Sequence, residues 1–371
     1  MQLDEGILDL RVTRAQVDVL RFAMDPPLQL AGRSINAREY VVLQVTLETG
    51  VTGTAYVLTR GQSIGAAAES VAHQVLGCTL ANLFSRDVDG RGTSADQRAR
   101  AVLDNCAWDL AGQLQEVPTW KLLGAPRTHQ PALLVAGYRR HGEGNEVMAR
   151  RLVGWRDVGY RSVKIAADLR GDSTARLLAE IRRLASVEDL EVIVDLGFAG
   201  RNVEQIVEAT RAWKPYGITW VEDPVPVGSA GDIAEICSAA SLPIAAGDEA
   251  SPDELLGLLE IGAVDVLRAD STTVGGLSGL RDLVARATVP VSLHVYPEIH
   301  RHAALVMDTD SPVEIFPPGD AFDFVDRFIH CEESTLVDGG FLPPASPGLG
   351  LRYQPESLLD NVVRSMTFTT D

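Results

Sequence analysis

The feature that most constrains this chain is a rhythm that begins near residue 131. Eight short apolar runs follow one another: 131–137 (PALLVAG), 161–167 (RSVKIAA), 190–195 (LEVIVD), 217–222 (GITWVE), 242–247 (LPIAAG), 264–270 (VDVLRAD), 289–294 (VPVSLH) and 311–316 (SPVEIF). Amphipathic stretches of helical period separate them, such as STARLLAEIRRLA and GLRDLVARA. Strands of nearly unbroken apolar character are buried on both faces, the habit of parallel sheets covered by helices. Eight such alternations predict an α/β chain closed into a (β/α)8 barrel. An open doubly wound sheet usually has fewer strands, and no GxGxxG pattern follows the first run.

The region before the barrel reads differently. Residues 1–58 carry strand patterning in RVTRAQVDVLRFAM and YVVLQVTLETGVTGTAYV, with "ETG" as a turn between two strands. Residues 62–124 have helical periodicity ending in RAVLDNCAWDLAGQL. The last forty residues hold Gly/Pro turns (GGFLPPASPGLGL). The expected organisation is therefore an α+β capping domain over residues 1–125, a modified TIM-barrel catalytic domain over 126–330, and a C-terminal segment, 331–371, packed back on the capping domain. A length of 371 residues suits a large barrel with a smaller partner.

The net charge of −18 argues against nucleic acid, which needs a basic surface. No apolar run approaches the roughly 18 residues of a membrane helix, so no membrane partner is expected. The start, MQLDEGILDL, is acidic and shows no signal-peptide pattern. Cys78, Cys106, Cys237 and Cys331 form no CxxC pair and read as reduced thiols in a cytoplasmic protein. A large acidic barrel also leads us to expect a homo-oligomer.

Catalytic side chains of such barrels sit at the C-terminal ends of the strands. Here those positions hold Lys164, Asp195, Glu222, Asp248 or Glu249, Asp270, His294 and Glu314. Asp195, Glu222 and one acid of the Gly247-Asp248-Glu249 turn come from three successive strand ends. Three carboxylates converging in one mouth repel unless a cation neutralises them, and carboxylate oxygens suit Mg2+. Of the two acids in the turn, Glu249 is favoured as ligand and Asp248 stays open. Asp270 and His294 close adjacent strands, so the carboxylate can hold one imidazole nitrogen while the other acts as a general base. Lys164 is placed to contact a substrate carboxylate, and a protonated Glu314 to hydrogen-bond it. His300 and His302 lie just beyond and read as structural. The GGLSG run at 275–279 reads as a helix opening rather than a phosphate loop. A small-molecule substrate with a proton α to a carboxylate fits this set, because removing that proton needs both a base and a cation for the developing charge.

These residues stand in motifs that resemble the enolase superfamily, and within it the mandelate racemase-like subgroup, over nearly the whole chain. NCAWDLAG (105–112) followed by Pro118 and Leu122-Leu123-Gly124 resembles its segment before the barrel. VDLGFAG, WVEDP and AAGDEA resemble its three metal-ligand turns, DSTTVGG and HVYPEI its Asp–His dyad, and PGLGL its closing segment. Two departures stand out. The usual K-x-K second strand reads Lys164-Ile165-Ala166, so the second base is missing, and Gly197 stands where the family places Asn or His. The resemblance with this loss implies a Mg2+-dependent lyase that dehydrates a sugar acid or related hydroxy acid to a 2-keto-3-deoxy acid. The competing expectations are a racemase or epimerase whose second base comes from elsewhere, for example Tyr138, and a non-catalytic carboxylate-binding homologue. Specificity is expected from mobile loops of the capping domain that cover the barrel mouth, with residues 24–35 and the turn near Thr52–Tyr56 as candidates.

Overall fold

Three long antiparallel strands open the chain: β1 (Val12–Leu30), β2 (Arg33–Leu47) and β3 (Thr52–Leu58). The β2–β3 turn falls at the expected "ETG", where the Gly50 N–H donates to the Leu47 carbonyl at 2.8 Å. The structure, a computed structural model, describes residues 3–30, 33–84, 93–307, 312–317, 322–331 and 336–370. It corrects the reading of 24–35 as a loop. Leu28 to Leu30 pair with Arg33 to Ile35 as a hairpin arm, and residues 31–32 lie outside the described set. The ladder slips between Ala23 and Leu28, across Pro26-Pro27, where neither residue has an N–H to donate. The C-terminal strand Val362–Thr369 pairs antiparallel with the outer edge of β1, so the chain's end completes the N-terminal sheet.

The helix Ser94–Leu114 shows why the NCAWDLAG motif exists. A capping box between Thr93 and Asp96 starts the helix, and most of its later residues are buried. Asn105 Oδ1 and Asp104 Oδ2 accept from the N–H groups of Leu277 and Ser278, both at 2.9 Å, and so cap the barrel helix Gly276–Arg286. Trp108 Nε1 donates to Ser278 Oγ at 2.9 Å. Gly276 has φ +78°, and a Cβ there would lie 2.3 Å from Asp104 Oδ2. Asp109 accepts from the N–H groups of Thr54 (2.8 Å) and Leu349 (2.7 Å), tying β3 to the PGLGL segment. Burial pushes its carboxyl up to about 7. GGLSG thus opens a helix, and the motif is a joint between layers.

All eight predicted runs are strands: β4 (Gln130–Gly137), β5 (Ser162–Ala166), β6 (Glu191–Asp195), β7 (Val221–Glu222), β8 (Ile244–Ala246), β9 (Val266–Ala269), β10 (Val291–Leu293) and β11 (Val313–Ile315). Each pairs in parallel with the next, and a β11–β4 pairing closes the barrel. A helix follows each of the first seven strands. The outward residues join one core with the helices. The lower interior is filled by Leu133, Ile193, Trp220 and Ala245. That apolar floor leaves the next inward layer, at the strands' C-terminal ends, as the polar mouth. Among the described residues no helix is long and apolar enough to cross a membrane. Among the described residues no two cysteines form a disulfide.

Candidate active site

Strand register brings the predicted residues to one level. Asp195 pairs with Glu222, while Leu293 pairs with both Ala269 and Val313, which puts His294 between Asp270 and Glu314. They surround a cavity of about 810 Å3 at the mouth. Lys164, Asp195, Asp248, Glu249, His294 and Glu314 line it, and the fully buried Glu222 and Asp270 lie directly behind. The capping region contributes part of the wall, including Arg38, Tyr56 and Arg60. Six of the eight described non-glycine residues with positive φ line this cavity: Arg60, Phe198, Asp223, Glu249, Val295 and Tyr296. Strain is concentrated where side chains must be aimed.

Two buried cations hold the acids. Lys164 Nζ lies 2.7 Å from Glu222, 2.5 Å from Glu314 and 3.9 Å from Asp195. Arg268, which sequence reading did not single out, reaches Asp248 at 3.1 Å, Glu222 at 3.2 Å and Glu314 at 2.6 Å. It stands two residues before Asp270 on β9, so strand alternation alone puts it on the same inward face. Although burial opposes it, Arg268 and Lys164 draw Glu314 down to about 2. Glu314 is therefore an anion here, and the expected donor role of a protonated Glu314 does not hold in this arrangement. Lys164 is likewise held protonated, well above its ordinary value, by Glu222 and Glu314 against the effect of burial.

The remaining acids are under-neutralised. Asp195, Glu222, Asp223, Asp248 and Glu314 make five carboxylates against Lys164 and Arg268, an excess of three negative charges when all are ionised. Burial raises Asp195 to about 6 and raises Glu222, Asp223 and Asp248 as well. Carboxylate oxygens of Glu222, Asp223 and Asp248 lie within 4.8 Å of one another. Asp223 Oδ2 is buried without a hydrogen-bond partner, while its Oδ1 accepts from the Gly247 N–H at 3.1 Å. A set of hard oxygen donors short of positive charge fits Mg2+.

The dyad residues stand beside this set. His294 Nδ1 is 3.7 Å from Asp270 Oδ2, and Nε2 is 3.3 Å from Asp248 Oδ2. Both Nδ1 and that Asp270 oxygen are buried without partners, so a small closing motion would join them. Asp270 Oδ1 is fixed by the Thr272 N–H (2.7 Å) and hydroxyl (2.8 Å). Burial raises Asp270 to about 7. Burial, with Arg60 adding to it, holds His294 well below the usual imidazole range, so the ring is neutral. Glu249, at φ +67°, meets Arg60 and Arg98, and with Asp270 and His294 it makes a second group whose ligand atoms lie within 4.8 Å of one another, but one already neutralised by the two arginines. Arg60 and Arg98 also escaped sequence reading, because nothing in a capping helix or turn marks which arginine will face a barrel mouth. His300 Nε2 accepts from the Ser271 N–H at 3.1 Å, and His302 Nδ1 from the Trp120 N–H at 3.2 Å. Burial pulls these imidazoles down to about 4 and about 3, as structural acceptors. Burial pushes the Tyr138 phenol up to about 12.

A family model described as "Enolase C-terminal domain-like" matches residues 147–357. One for the mandelate racemase/muconate lactonizing enzyme N-terminal domain matches 13–124. The chain belongs to the mandelate racemase/muconate lactonizing enzyme family of the enolase superfamily. Among its relatives, a D-galactarolactone cycloisomerase of Agrobacterium fabrum is 22% identical, the match covering 95% of this chain and 98% of the relative. A D-galactonate dehydratase of Xanthomonas euvesicatoria is 24% identical over 87% of this chain and 91% of its own length. The same fold recurs in L-talarate/galactarate dehydratase from Salmonella typhimurium, solved with Mg and L-lyxarohydroxamate (TM-score 0.85, 20% identity, covering 100% of this chain and 97% of that one). It recurs in a Bradyrhizobium enolase solved with magnesium and mandelic acid (TM-score 0.81, 24% identity, 96% and 99% covered). Within this family fold the departures keep their meaning: Ala166 pairs with Asp195 in register and offers no second base.

Proposed function

We propose that this protein is a Mg2+-dependent lyase that dehydrates a sugar acid or related hydroxy acid to a 2-keto-3-deoxy acid. Asp195, Glu222 and Asp248 are the residues that would hold the metal. Asp248 replaces Glu249 in this reading, because Glu249 is committed to Arg60 and Arg98. A bound dication supplies Lewis-acid stabilisation to the charge that develops on the substrate carboxylate. His294 takes the α-proton on Nε2, the nitrogen turned toward Asp248 and the cavity. Asp270 steadies the resulting imidazolium through Nδ1. The same imidazolium then protonates the hydroxyl leaving the next carbon, and the enol product tautomerises to the keto acid. Lys164 and Arg268 keep the acids oriented and balance their charge.

The observation that carries this reading is the meeting of an under-neutralised carboxylate set with a neutral His294 and its Asp270 in one cavity. Racemisation needs a second base on the opposite face. Lys164 is held as a cation and Tyr138 as a neutral phenol, so neither supports it at neutral pH. The proposal also takes the protein to be a cytoplasmic homo-oligomer. The net charge of −18 supports the view that it has no nucleic-acid partner. Incubation with Mg2+ and a panel of sugar acids, scored for 2-keto acid, tests the reading. Keto acid is expected. Deuterium entering the α-carbon from solvent without keto acid would point to the racemase, and neither signal to a binding protein.

A further inference from the structure

Among the cavity-lining cations that the mechanism above does not use, Arg60 is the one in contact with the base. Arg60 follows β3 with its backbone at φ +50° and lines the mouth. Its guanidinium presents two edges. Nε lies 2.8 Å from Glu249 Oε1, and Nη2 lies 3.1 Å from His294 Nε2. A guanidinium only donates, so in this contact Nε2 accepts and the ring proton sits on Nδ1, facing Asp270, while Asp248 Oδ2 stands 3.3 Å from the same Nε2. Nε2 is also the nitrogen that must receive the α-proton. In this arrangement the base's lone pair is covered, and a substrate must displace Nη2 to reach it.

The other edge has no reason to move. Glu249 is gripped from its far side by Arg98, which is 1% exposed and donates to Thr272 Oγ1 at 3.1 Å. Thr272 in turn holds Asp270. His294, Arg60, Glu249, Arg98, Thr272 and Asp270 form a ring, of which Arg60, Glu249 and His294 line the cavity and Arg98, Thr272 and Asp270 are buried behind it. A guanidinium released from the imidazole but still anchored on Glu249 stays beside the base. The substrate oxygen on that side is the hydroxyl to be lost, because the base must serve both the α-carbon and that hydroxyl.

We propose that Arg60 is a further substrate-contacting residue, which covers Nε2 of His294 while the cavity is empty and passes its Nη2 hydrogen bond to the departing hydroxyl when substrate is bound. The step balances without it changing state. The α C–H pair becomes the C=C bond, the C–O pair leaves with oxygen, and the proton from the imidazolium completes water. Arg60 keeps its protons and lends charge to the leaving oxygen. This rests on the dehydration reading, and two experiments separate their fates.

The first uses the protein without substrate. Diethylpyrocarbonate acylates neutral imidazole, and peptide mass spectrometry reads each histidine. In the parent His294 reacts slowly, and in Arg60→Met at least fivefold faster, while buried His300 and His302 stay unreactive. If Arg60→Met exposes those two as well, Arg60→Lys, which keeps one donor, replaces it with an expected rate at least twofold above the parent. Equal rates for His294 in parent and folded variant overturn the proposal. The second uses the sugar acid that the panel identifies, with Mg2+ in D2O. In Arg60→Met the ratio of α-deuterium in recovered substrate to keto acid formed rises at least tenfold, and Arg60→Lys restores part of it. Exchange and elimination falling together overturn the proposed contact. A parent that gives neither signal removes the dehydration reading, and the acylation rates still decide whether Arg60 covers the base.

Discussion

Replacing Arg268 by methionine tests whether the acids of the mouth are balanced as described. Arg268 is fully buried, with carboxylates at 2.6, 3.1 and 3.2 Å and the Ser292 hydroxyl at 2.7 Å. Removing one partner of a buried ion pair leaves the other charge uncompensated and costs about 3–5 kcal/mol. Three carboxylates lose a partner here, but Glu222 and Glu314 keep Lys164, which holds the loss inside that range. Equilibrium urea unfolding reads it as a lower midpoint at unchanged slope. A second substitution, Glu314→Gln, removes the partner with the shortest contact, so the double variant should recover at least half of the loss. Saturating Mg2+ should also narrow the gap, because a cradle without Arg268 binds the dication more tightly; each tenfold gain in affinity adds about 1.4 kcal/mol. A single variant within about 1 kcal/mol of the parent, or two losses that simply add, would refute the charge accounting.

Two further outcomes follow from the joint between cap and barrel. Gly276→Ala places a Cβ against Asp104 at φ +78° and should cost about 1–3 kcal/mol in the same unfolding assay, whereas Gly154→Ala, on an open helix face, should not. Asp109 titrates near 7 in the folded protein against about 3.9 unfolded, so the folded state holds the proton more tightly. Its contribution is fully present below pH 4 and is lost as the pH rises to about 7. Asp109→Asn, which does not titrate, should therefore gain on the parent by up to about 4 kcal/mol across that interval. A difference in unfolding free energy that stays flat from pH 4 to 7 would contradict the buried, protonated Asp109.

Much of this was legible because the barrel writes its period into the chain. A run such as VDVLRAD announces a doubly buried strand, and the ionisable residue closing each run marks the mouth. Asp195, Glu222, Asp248, Asp270, His294, Lys164 and Glu314 meet because parallel register leaves strand ends level. What stayed hidden depends on direction rather than position. Asp248 and Glu249 are chemically alike neighbours, and only the positive φ of Glu249 sends it to the arginines. Arg60 and Arg98 lie 234 and 151 residues from their partners His294 and Glu249, a separation at which no local pattern operates. The 24–35 segment looked like a loop because Pro26-Pro27 breaks the strand pattern, yet the chain carries the pairing past the slip.

Diffraction from crystals soaked in Mn2+, collected at the manganese edge, tests the central claim most directly. The account predicts one strong anomalous peak within bonding distance of carboxylate oxygens from Asp195, Glu222 and Asp248, with His294 Nε2 facing the space beside it. A peak held instead by Glu249, Asp270 and His294, or no peak at the mouth, would contradict it.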